Sequence, residues 1–153
     1  MKSGFIGCGN MASAIIGGML KKGIDTPENI LGSVKSEASA KKVRETLGIH
    51  CTTDNLEVVR HADYLFLAVK PQFIAQVAEE IRPALRKDQV IVSVIAGKSL
   101  AWLKEHLGKD QKIIRLMPNT PALVGEGLTA VCPDDLVSEE ETAQVLSILD
   151  SFG

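Results

Sequence analysis

Short apolar runs alternate with stretches of helical periodicity along almost the whole chain. The runs have strand length and are rich in β-branched and aromatic residues, and several are apolar at consecutive positions. Such runs are typical of strands buried on both faces of a parallel sheet. They predict strands at Lys2–Ile6, Asn29–Ser33, Tyr64–Val69, Val90–Ile95 and Lys112–Met117, with a weaker one at Leu128–Val131.

The segments between these runs carry apolar residues at spacings of three and four, which predicts helices. Several have a capping residue or a helix-ending glycine at the expected place. The predicted helical faces are Ala12–Leu20 before Gly23, Val43–Leu47 before Gly48, Phe73–Leu85, Leu100–Leu107 between Ser99 and Gly108, and a final helix after the capping box Ser138–Glu141. This alternation predicts an α/β fold with an open, doubly wound, mostly parallel sheet and helices on both faces.

Composition restricts the function more than the fold. The 153 residues fit one domain. Because 17 basic and 19 acidic residues leave a net charge of −2, no basic field exists to hold nucleic acid or an anionic membrane. Aromatic residues make up 4% of the chain, too few for a platform that stacks single-stranded bases. No apolar run approaches the ~20 residues that span a bilayer.

The cysteines and histidines carry no site signature. Cys8, Cys51 and Cys132 are odd in number and widely spaced, and the chain begins without a signal-peptide core. We therefore expect reduced thiols and a soluble, cytoplasmic protein. The three histidines lack metal-ligand spacing, so no metal site is expected. No ordered serine, histidine and aspartate pattern indicates hydrolysis.

The most informative motif is Gly7-Cys8-Gly9-Asn10-Met11-Ala12, which follows the first predicted strand and opens the first predicted helix. The first glycine permits the tight turn, the second lets backbone N–H groups approach a pyrophosphate, and Ala12 allows close helix–strand packing. The helix N-terminus favours the phosphate charge. The motif predicts a Rossmann-like dinucleotide site, with a plain tight turn as the alternative. A helix N-terminus can lower the pKa of a thiol, but we expect Cys8 to be a small packing residue.

The end of the second predicted strand favours NADP over NAD. Proteins selective for NAD usually place Asp or Glu there to bind the ribose hydroxyls, whereas this strand ends in Ser33-Val34-Lys35-Ser36. Ser33, Lys35 and Ser36 can donate hydrogen bonds or charge to a 2′-phosphate. The alternative is that Lys35 is an ordinary surface lysine.

Further candidates follow the later strands, because ligands of such sheets bind beyond the carboxyl ends of the strands. Ala68-Val69-Lys70-Pro71 ends a buried strand, and Pro71 fixes the backbone there. Ile95-Ala96-Gly97 ends the next strand with small residues against which a nicotinamide ring can lie. The alternatives are a surface lysine at Lys70 and a simple helix-entry turn after Ile95.

Two asparagines are also candidates. Met117-Pro118-Asn119-Thr120-Pro121 is a stiff turn that presents the Asn119 amide to a substrate or to the nicotinamide carboxamide, unless it only makes the turn. Asn55 precedes the short predicted helix Leu56–His61. It either caps that helix or contacts adenosine, and the sequence leaves both open.

Three motifs together resemble pyrroline-5-carboxylate reductases, which use NAD(P)H to make proline. They are Gly4–Ala12, Leu65–Pro71, and Met117–Pro121 followed by Gly125-Glu126-Gly127. Their order and spacing match over essentially the whole chain. The first motif is shared with many dehydrogenases of β-hydroxyacids, whereas the second and third together are much more specific.

The resemblance implies roles for named residues. Ile6–Met11 would hold the pyrophosphate, Asn55 and the tip Ser33–Lys35 would contact adenosine, and Ala68–Pro71 with Val94–Ala96 would line the nicotinamide side. Val34 stands where some family members carry a second serine, so the 2′-phosphate contact is assigned to Ser33 and Lys35. We expect no catalytic residue within this chain.

The resemblance also implies a missing part. Family members continue into a helical C-terminal domain that mediates homo-oligomerisation and supplies much of the substrate pocket, and its signature does not occur here. We therefore expect residues 1–153 to bind NADP(H), with NAD possible, and to turn over pyrroline-5-carboxylate weakly or not at all. The alternatives are a reductase of the β-hydroxyacid or F420-dependent NADP group and a stand-alone nucleotide-sensing module.

Overall fold

The computed structural model describes residues 1–118 and 128–152. Its strands are β1 (Ser3–Ile6), β2 (Ile30–Ser33), β3 (His50–Thr52), β4 (Tyr64–Leu67), β5 (Val90–Ser93), β6 (Lys112–Pro118) and β7 (Leu128–Pro133). They form one sheet in the order β3-β2-β1-β4-β5-β6-β7, in which β7 alone of the described strands is antiparallel. The predicted α/β, Rossmann-like fold is confirmed.

Helices cover both faces of this sheet. They are α1 (Asn10–Lys21), α2 (Glu37–Leu47), α3 (Asn55–His61), α4 (Ile74–Ile81), α5 (Leu100–Leu107) and α6 (Glu139–Phe152). One apolar layer joins the sheet to α1, α2 and α6, and a second joins it to α3, α4 and α5. Alternate strand residues enter opposite layers: Phe5 stacks on Phe66 at 4.4 Å in the first, while their neighbours Ile6 and Leu67 enter the second.

The helix ends follow the predicted capping chemistry. Gly23 adopts a φ of +70° just after α1, a left-handed conformation that glycine accepts without strain. The Ser99 hydroxyl accepts from the Trp102 N–H at the start of α5. Ser138 and Glu141 form the reciprocal capping box, each side chain accepting from the other's backbone N–H.

The structure departs from the predicted elements mainly at three places. The predicted elements omit β3, a three-residue strand whose partner is β2. The helix predicted over Phe73–Leu85 is α4 alone, flanked by 3₁₀ turns at Pro71–Phe73 and Arg82–Ala84; Pro83, which lacks an N–H, ends the α-helical bonding. β4 and β5 stop two residues before Val69 and Ile95. After β5, the Ser93 hydroxyl accepts from the Ile95 N–H and turns the chain.

No described helix is long and apolar enough to cross a membrane. Within the same residues, His, Cys, Asp and Glu side chains form no group of three that could hold a metal ion.

Candidate functional site

A cleft of about 430 Å³ opens at the carboxyl ends of β1, β2 and β4. The chain leaves β1 for α1 on one face of the sheet and leaves β4 for α4 on the other, so the two connections diverge there. Ligands of doubly wound sheets bind at such a switch point. The cleft is lined by Ile6–Gly9, Ser33–Lys35, Thr53, Asn55, Ala68–Lys70, Phe73 and Val77.

The loop after β1 is held tightly between its neighbours. The N–H groups of Gly7 and Cys8 both donate to the Ser33 carbonyl, at 3.1 and 3.0 Å. Gly7 has a φ of +88°, and a Cβ on it would lie 3.0 Å from the carbonyl carbon and oxygen of Ala68. Only glycine fits this position, because both the backbone angle and the close approach exclude a side chain.

The start of α1 offers backbone N–H groups to an anion. Gly9 is the N-cap and carries no side chain to accept from the first turn, and that turn has no acidic residue. A Cβ on Gly9 would meet nothing within 4 Å. The uncapped N–H groups and the positive end of the helix dipole suit a phosphate. The residues present therefore fit the pyrophosphate of a dinucleotide.

Cys8 is a packing residue in this loop. Its Sγ occupies the space above Gly32 that a Cβ on Gly32 would need. Cys51 lies opposite Gly32 in the pairing of β2 with β3. A hydrogen bond from Cys8 to the Cys51 thiol, together with burial, raises the pKa of Cys8 above its ordinary value. The Cys8 thiol is thus protonated at neutral pH. The alternative, that the helix N-terminus lowers its pKa, is wrong.

The Asn55 side chain links two elements at the end of the cleft that adjoins β2. The buried Ser33 hydroxyl donates to Asn55 Oδ1 at 2.7 Å, and Asn55 Nδ2 donates to Glu80 Oε1 at 2.8 Å. Asn55 does not cap α3. The N-cap is Asp54, whose carboxylate accepts from the Leu56 N–H at 3.0 Å. The capping alternative for Asn55 is therefore wrong, and its amide lines the cleft instead.

Positive charge dominates the lining. Lys35 and Lys70 both contribute to it, and none of the described lining residues is acidic. The Lys35 ammonium lies 3.0 Å from the centroid of the Phe73 ring. Ser36 is not part of the lining: its hydroxyl caps α2 by accepting from the Ser39 N–H and donates to Ser39 Oγ. The cleft suits an anionic ligand with Lys35 and Lys70 as its cations.

The remaining sequence candidates lie around the cleft or outside the described residues. Asn10 and Met11 form the first turn of α1, and Pro71 begins the 3₁₀ turn that leads to α4. Val94, Ile95 and Ala96 follow β5 without entering the lining, and Ile95 is buried in the second apolar layer. Asn119 and the turn around it lie outside the described residues.

Four lining residues were not among the candidates: Val34, Thr53, Phe73 and Val77. Thr53 follows β3, so recognising that strand would have pointed to it. Phe73 and Val77 have the spacing of an ordinary buried helical face, and nothing in that spacing distinguishes a cleft wall from a core.

Residues 2–97 match the family described as NADP oxidoreductase, coenzyme F420-dependent. The chain is 45% identical over 152 residues to the pyrroline-5-carboxylate reductase of Escherichia coli (strain K12), covering 99% of this chain and 56% of that protein. The solved structure of a pyrroline-5-carboxylate reductase from Coxiella burnetii matches 99% of this chain and 56% of its own, with a TM-score of 0.92 and 34% identity. The enzyme from Plasmodium falciparum, solved with NADP bound, matches 100% of this chain and 55% of its own, with a TM-score of 0.86 and 32% identity.

Proposed function

This chain belongs to the family of NADP oxidoreductases described as coenzyme F420-dependent, and on that basis we propose that it is the NADP(H)-binding part of a pyrroline-5-carboxylate reductase. The resemblance found in three motifs is confirmed by relatives of that name that are 33% to 45% identical over 99% of the chain. The family match ends at residue 97, whereas these relatives match throughout. Their extent favours the reductase over the F420-dependent alternative.

The observation that carries the proposal is the combination of a glycine loop and two lysines at one switch point. The loop fits a pyrophosphate because Gly7 admits no side chain and Gly9 leaves the helix N-terminus open. Lys35 lies just after the end of β2, the region where a protein selective for NAD usually carries a carboxylate and where this chain has none. This arrangement supports NADP(H) as the ligand.

Different residues of the cleft would bind different parts of the cofactor. We assign the pyrophosphate to Gly7–Gly9 with the first turn of α1, the adenosine ribose to Ser33 and Asn55, the 2′-phosphate to Lys35, and the nicotinamide side to Ala68–Lys70. When bound, the cofactor would supply a hydride to the C=N carbon of 1-pyrroline-5-carboxylate, and with a proton on the ring nitrogen this gives L-proline. We assign that proton to no residue of this chain. We assign no catalytic residue to this chain, whose contribution is binding and orientation.

The chain spans 56% of the length of the Escherichia coli relative. We propose that the rest of the substrate pocket and the homo-oligomer contacts come from the length that the relatives have and this sequence does not. The cysteines Cys8, Cys51 and Cys132 are free thiols, which supports a reducing, cytoplasmic location. No nucleic-acid or membrane partner is proposed.

Calorimetric titration of this chain with NADPH tests the proposal. Saturable binding is expected, and Gly9→Ala should weaken it by at least about tenfold, because a methyl group there stands between the pyrophosphate and the backbone N–H groups. Gly17→Ala is the matched control, since its Cβ also meets nothing within 4 Å but lies mid-helix in α1. Failure of the wild-type chain to bind NADPH, or equal loss in both variants, would contradict the proposal.

A turnover assay with NADPH and pyrroline-5-carboxylate tests the second half of the proposal. Residues 1–153 alone should bind the cofactor and oxidise it slowly or not at all, because we assign the rest of the substrate pocket to the part of the relatives' length that these residues do not span. Steady turnover in the range of about 1–10³ s⁻¹, which is usual for enzymes, would show that the chain is sufficient for the reaction.

A further inference from the structure

A chain of hydrogen bonds connects three elements at the adenosine end of the cleft. Ser33 ends β2, Asn55 begins α3, and Glu80 lies near the end of α4. The Ser33 hydroxyl lies 2.7 Å from Asn55 Oδ1, and Asn55 Nδ2 lies 2.8 Å from Glu80 Oε1. Ser33 is 1% exposed, so its hydroxyl has few alternatives to this partner and a bound ligand.

The Glu80 carboxylate fixes the donor and the acceptor of both hydrogen bonds. A carboxylate accepts hydrogen bonds and cannot donate them, so Asn55 must turn its NH₂ group towards Glu80. The other end of the amide, the carbonyl oxygen, then faces Ser33. Since that oxygen also only accepts, the Ser33 hydroxyl proton must point at Asn55. The direction therefore does not depend on how the amide oxygen and nitrogen are distinguished.

Because the Ser33 hydroxyl proton is donated to Asn55 Oδ1, only the oxygen lone pairs of Ser33 are available to a ligand. It can accept from a ribose hydroxyl, but it cannot donate to a phosphate oxygen. NAD presents a 2′-hydroxyl at this end of the molecule, and NADP presents a 2′-phosphate, which at neutral pH mainly accepts. Ser33 in this state suits the hydroxyl, and the phosphate depends on Lys35.

We infer that Glu80 is a specificity-determining positioning residue, which holds Ser33 as an acceptor through Asn55 and so limits the preference of the cleft for NADP over NAD. The inference rests on the proposed nucleotide-binding function. Glu80 lies outside the lining of the main cleft and acts through the amide. It lines an adjoining cavity together with Lys35, Asn55 and Phe73.

The test measures dissociation constants for NADPH and NADH in the wild-type chain and in Glu80→Gln. A glutamine can accept from Asn55 or donate to it, so the amide is free to turn and a phosphate can recruit the Ser33 proton. The ratio of NADPH affinity to NADH affinity should rise by about tenfold, the worth of one hydrogen bond to a charged group. An unchanged ratio would overturn the inference.

A double-mutant cycle separates proton direction from plain charge removal. If Glu80 acts through Ser33, Glu80→Gln should leave the ratio unchanged in a Ser33→Ala background. Asn55→Ala gives the same test without altering the buried serine: it should raise the ratio, and adding Glu80→Gln should raise it no further. Equal effects of Glu80→Gln in both backgrounds would show a direct charge effect and overturn the inference.

A neighbouring carboxylate provides the matched control. Glu79 precedes Glu80 on α4, is also exposed, and lines a different cavity next to Arg82 and His106. Glu79→Gln should leave the affinity ratio unchanged. A rise equal to that in Glu80→Gln would overturn the inference that Glu80 acts through Asn55 and Ser33. A wild-type chain that binds neither nucleotide would overturn the proposed function itself, whereas binding with an unmoved ratio would overturn only the role of Glu80.

Discussion

The Lys35 ammonium lies 3.0 Å from the centroid of the Phe73 ring, which joins the end of β2 to the turn before α4. Both residues line the cleft. A cation over an aromatic face is held by the quadrupole of the ring. Lys35 is thereby kept against the cleft wall, with its charge beside the position that we assign to the 2′-phosphate.

Replacing Lys35 by methionine should keep the side-chain length and remove the charge. We expect NADPH affinity to fall by about tenfold, the size of one charge-assisted contact, while NADH affinity changes little. Fluorescence titration of both nucleotides measures this ratio. Lys109→Met is the control, because Lys109 is exposed in the loop before β6, at the amino ends of the parallel strands and so at the opposite end of the strands from the cleft. A ratio that stays constant in Lys35→Met would show that Lys35 does not contact the phosphate.

Gly32 should tolerate a side chain only if Cys8 loses its sulfur. In Gly32→Ala the new methyl group overlaps Cys8 Sγ, so we expect the free energy of unfolding to fall by about 1–3 kcal/mol and nucleotide binding to weaken. In the double variant with Cys8→Ala, the two Cβ atoms would lie 3.8 Å apart, an ordinary contact. Denaturant unfolding should therefore show partial recovery. Additive losses in the double variant would refute this packing relationship.

Asp54 and Asn55 should affect different measurements. Asp54→Ala removes the N-cap of α3 and should lower the free energy of unfolding by about 1 kcal/mol, with little effect on NADPH affinity. Asn55→Ala breaks the link between Ser33 and Glu80, so its main effect should be on nucleotide binding, as a higher ratio of NADPH affinity to NADH affinity. Chemical denaturation and calorimetry on the same samples separate the two. The reverse pattern would restore Asn55 as the cap.

Glu141 should make the stability of the chain sensitive to acid. Burial alone would raise the pKa of Glu141, but the Ser138 N–H, the Lys112 ammonium and the Ser138 hydroxyl together hold it below its ordinary value. A carboxyl whose pKa is lower in the folded state stabilises that state above the unfolded pKa, about 4.5. This stabilisation is lost as the pH falls through the folded pKa.

Glu141→Gln should therefore lower the free energy of unfolding at pH 7 by about 1 kcal/mol. The difference from wild type should shrink as the pH falls from the ordinary pKa of about 4.5 through the lower folded pKa, because wild-type Glu141 becomes neutral in the folded state only there. Urea unfolding at pH 7 and pH 3 measures it. Glu140→Gln serves as the exposed control on the same turn. A difference that does not depend on pH would contradict the role of the charge.

Local patterns were sufficient to predict six of the seven described strands and the glycine loop after β1. The motif from Gly7 to Ala12 combines a strand, a tight turn and a helix start within a few residues, and each feature has its own steric reason. Ser33 and Lys35 could be found in the same way, because the end of the second strand has a fixed place in such folds.

Features that depend on distant residues could not be predicted. β3 is three residues long, and its partner β2 makes it a strand. Asp54 and Asn55 are both good capping residues, and only the observed hydrogen bonds show which one caps. Glu80 lies 25 positions beyond Asn55, and nothing in its own sequence neighbourhood indicates that it contacts Asn55.

We propose that the cleft at the ends of β1, β2 and β4 binds NADP(H). Titration of the ¹⁵N-labelled chain with NADPH, followed through the backbone amide shifts, tests it residue by residue. We predict saturable shifts that are largest at Gly7–Gly9 and at the first turn of α1, smaller ones at Ser33–Lys35, and none at Lys109, which lies at the opposite end of the parallel strands. The absence of saturable shifts, or shifts centred between α4 and α5, would show that this cleft is not the NADP(H) site.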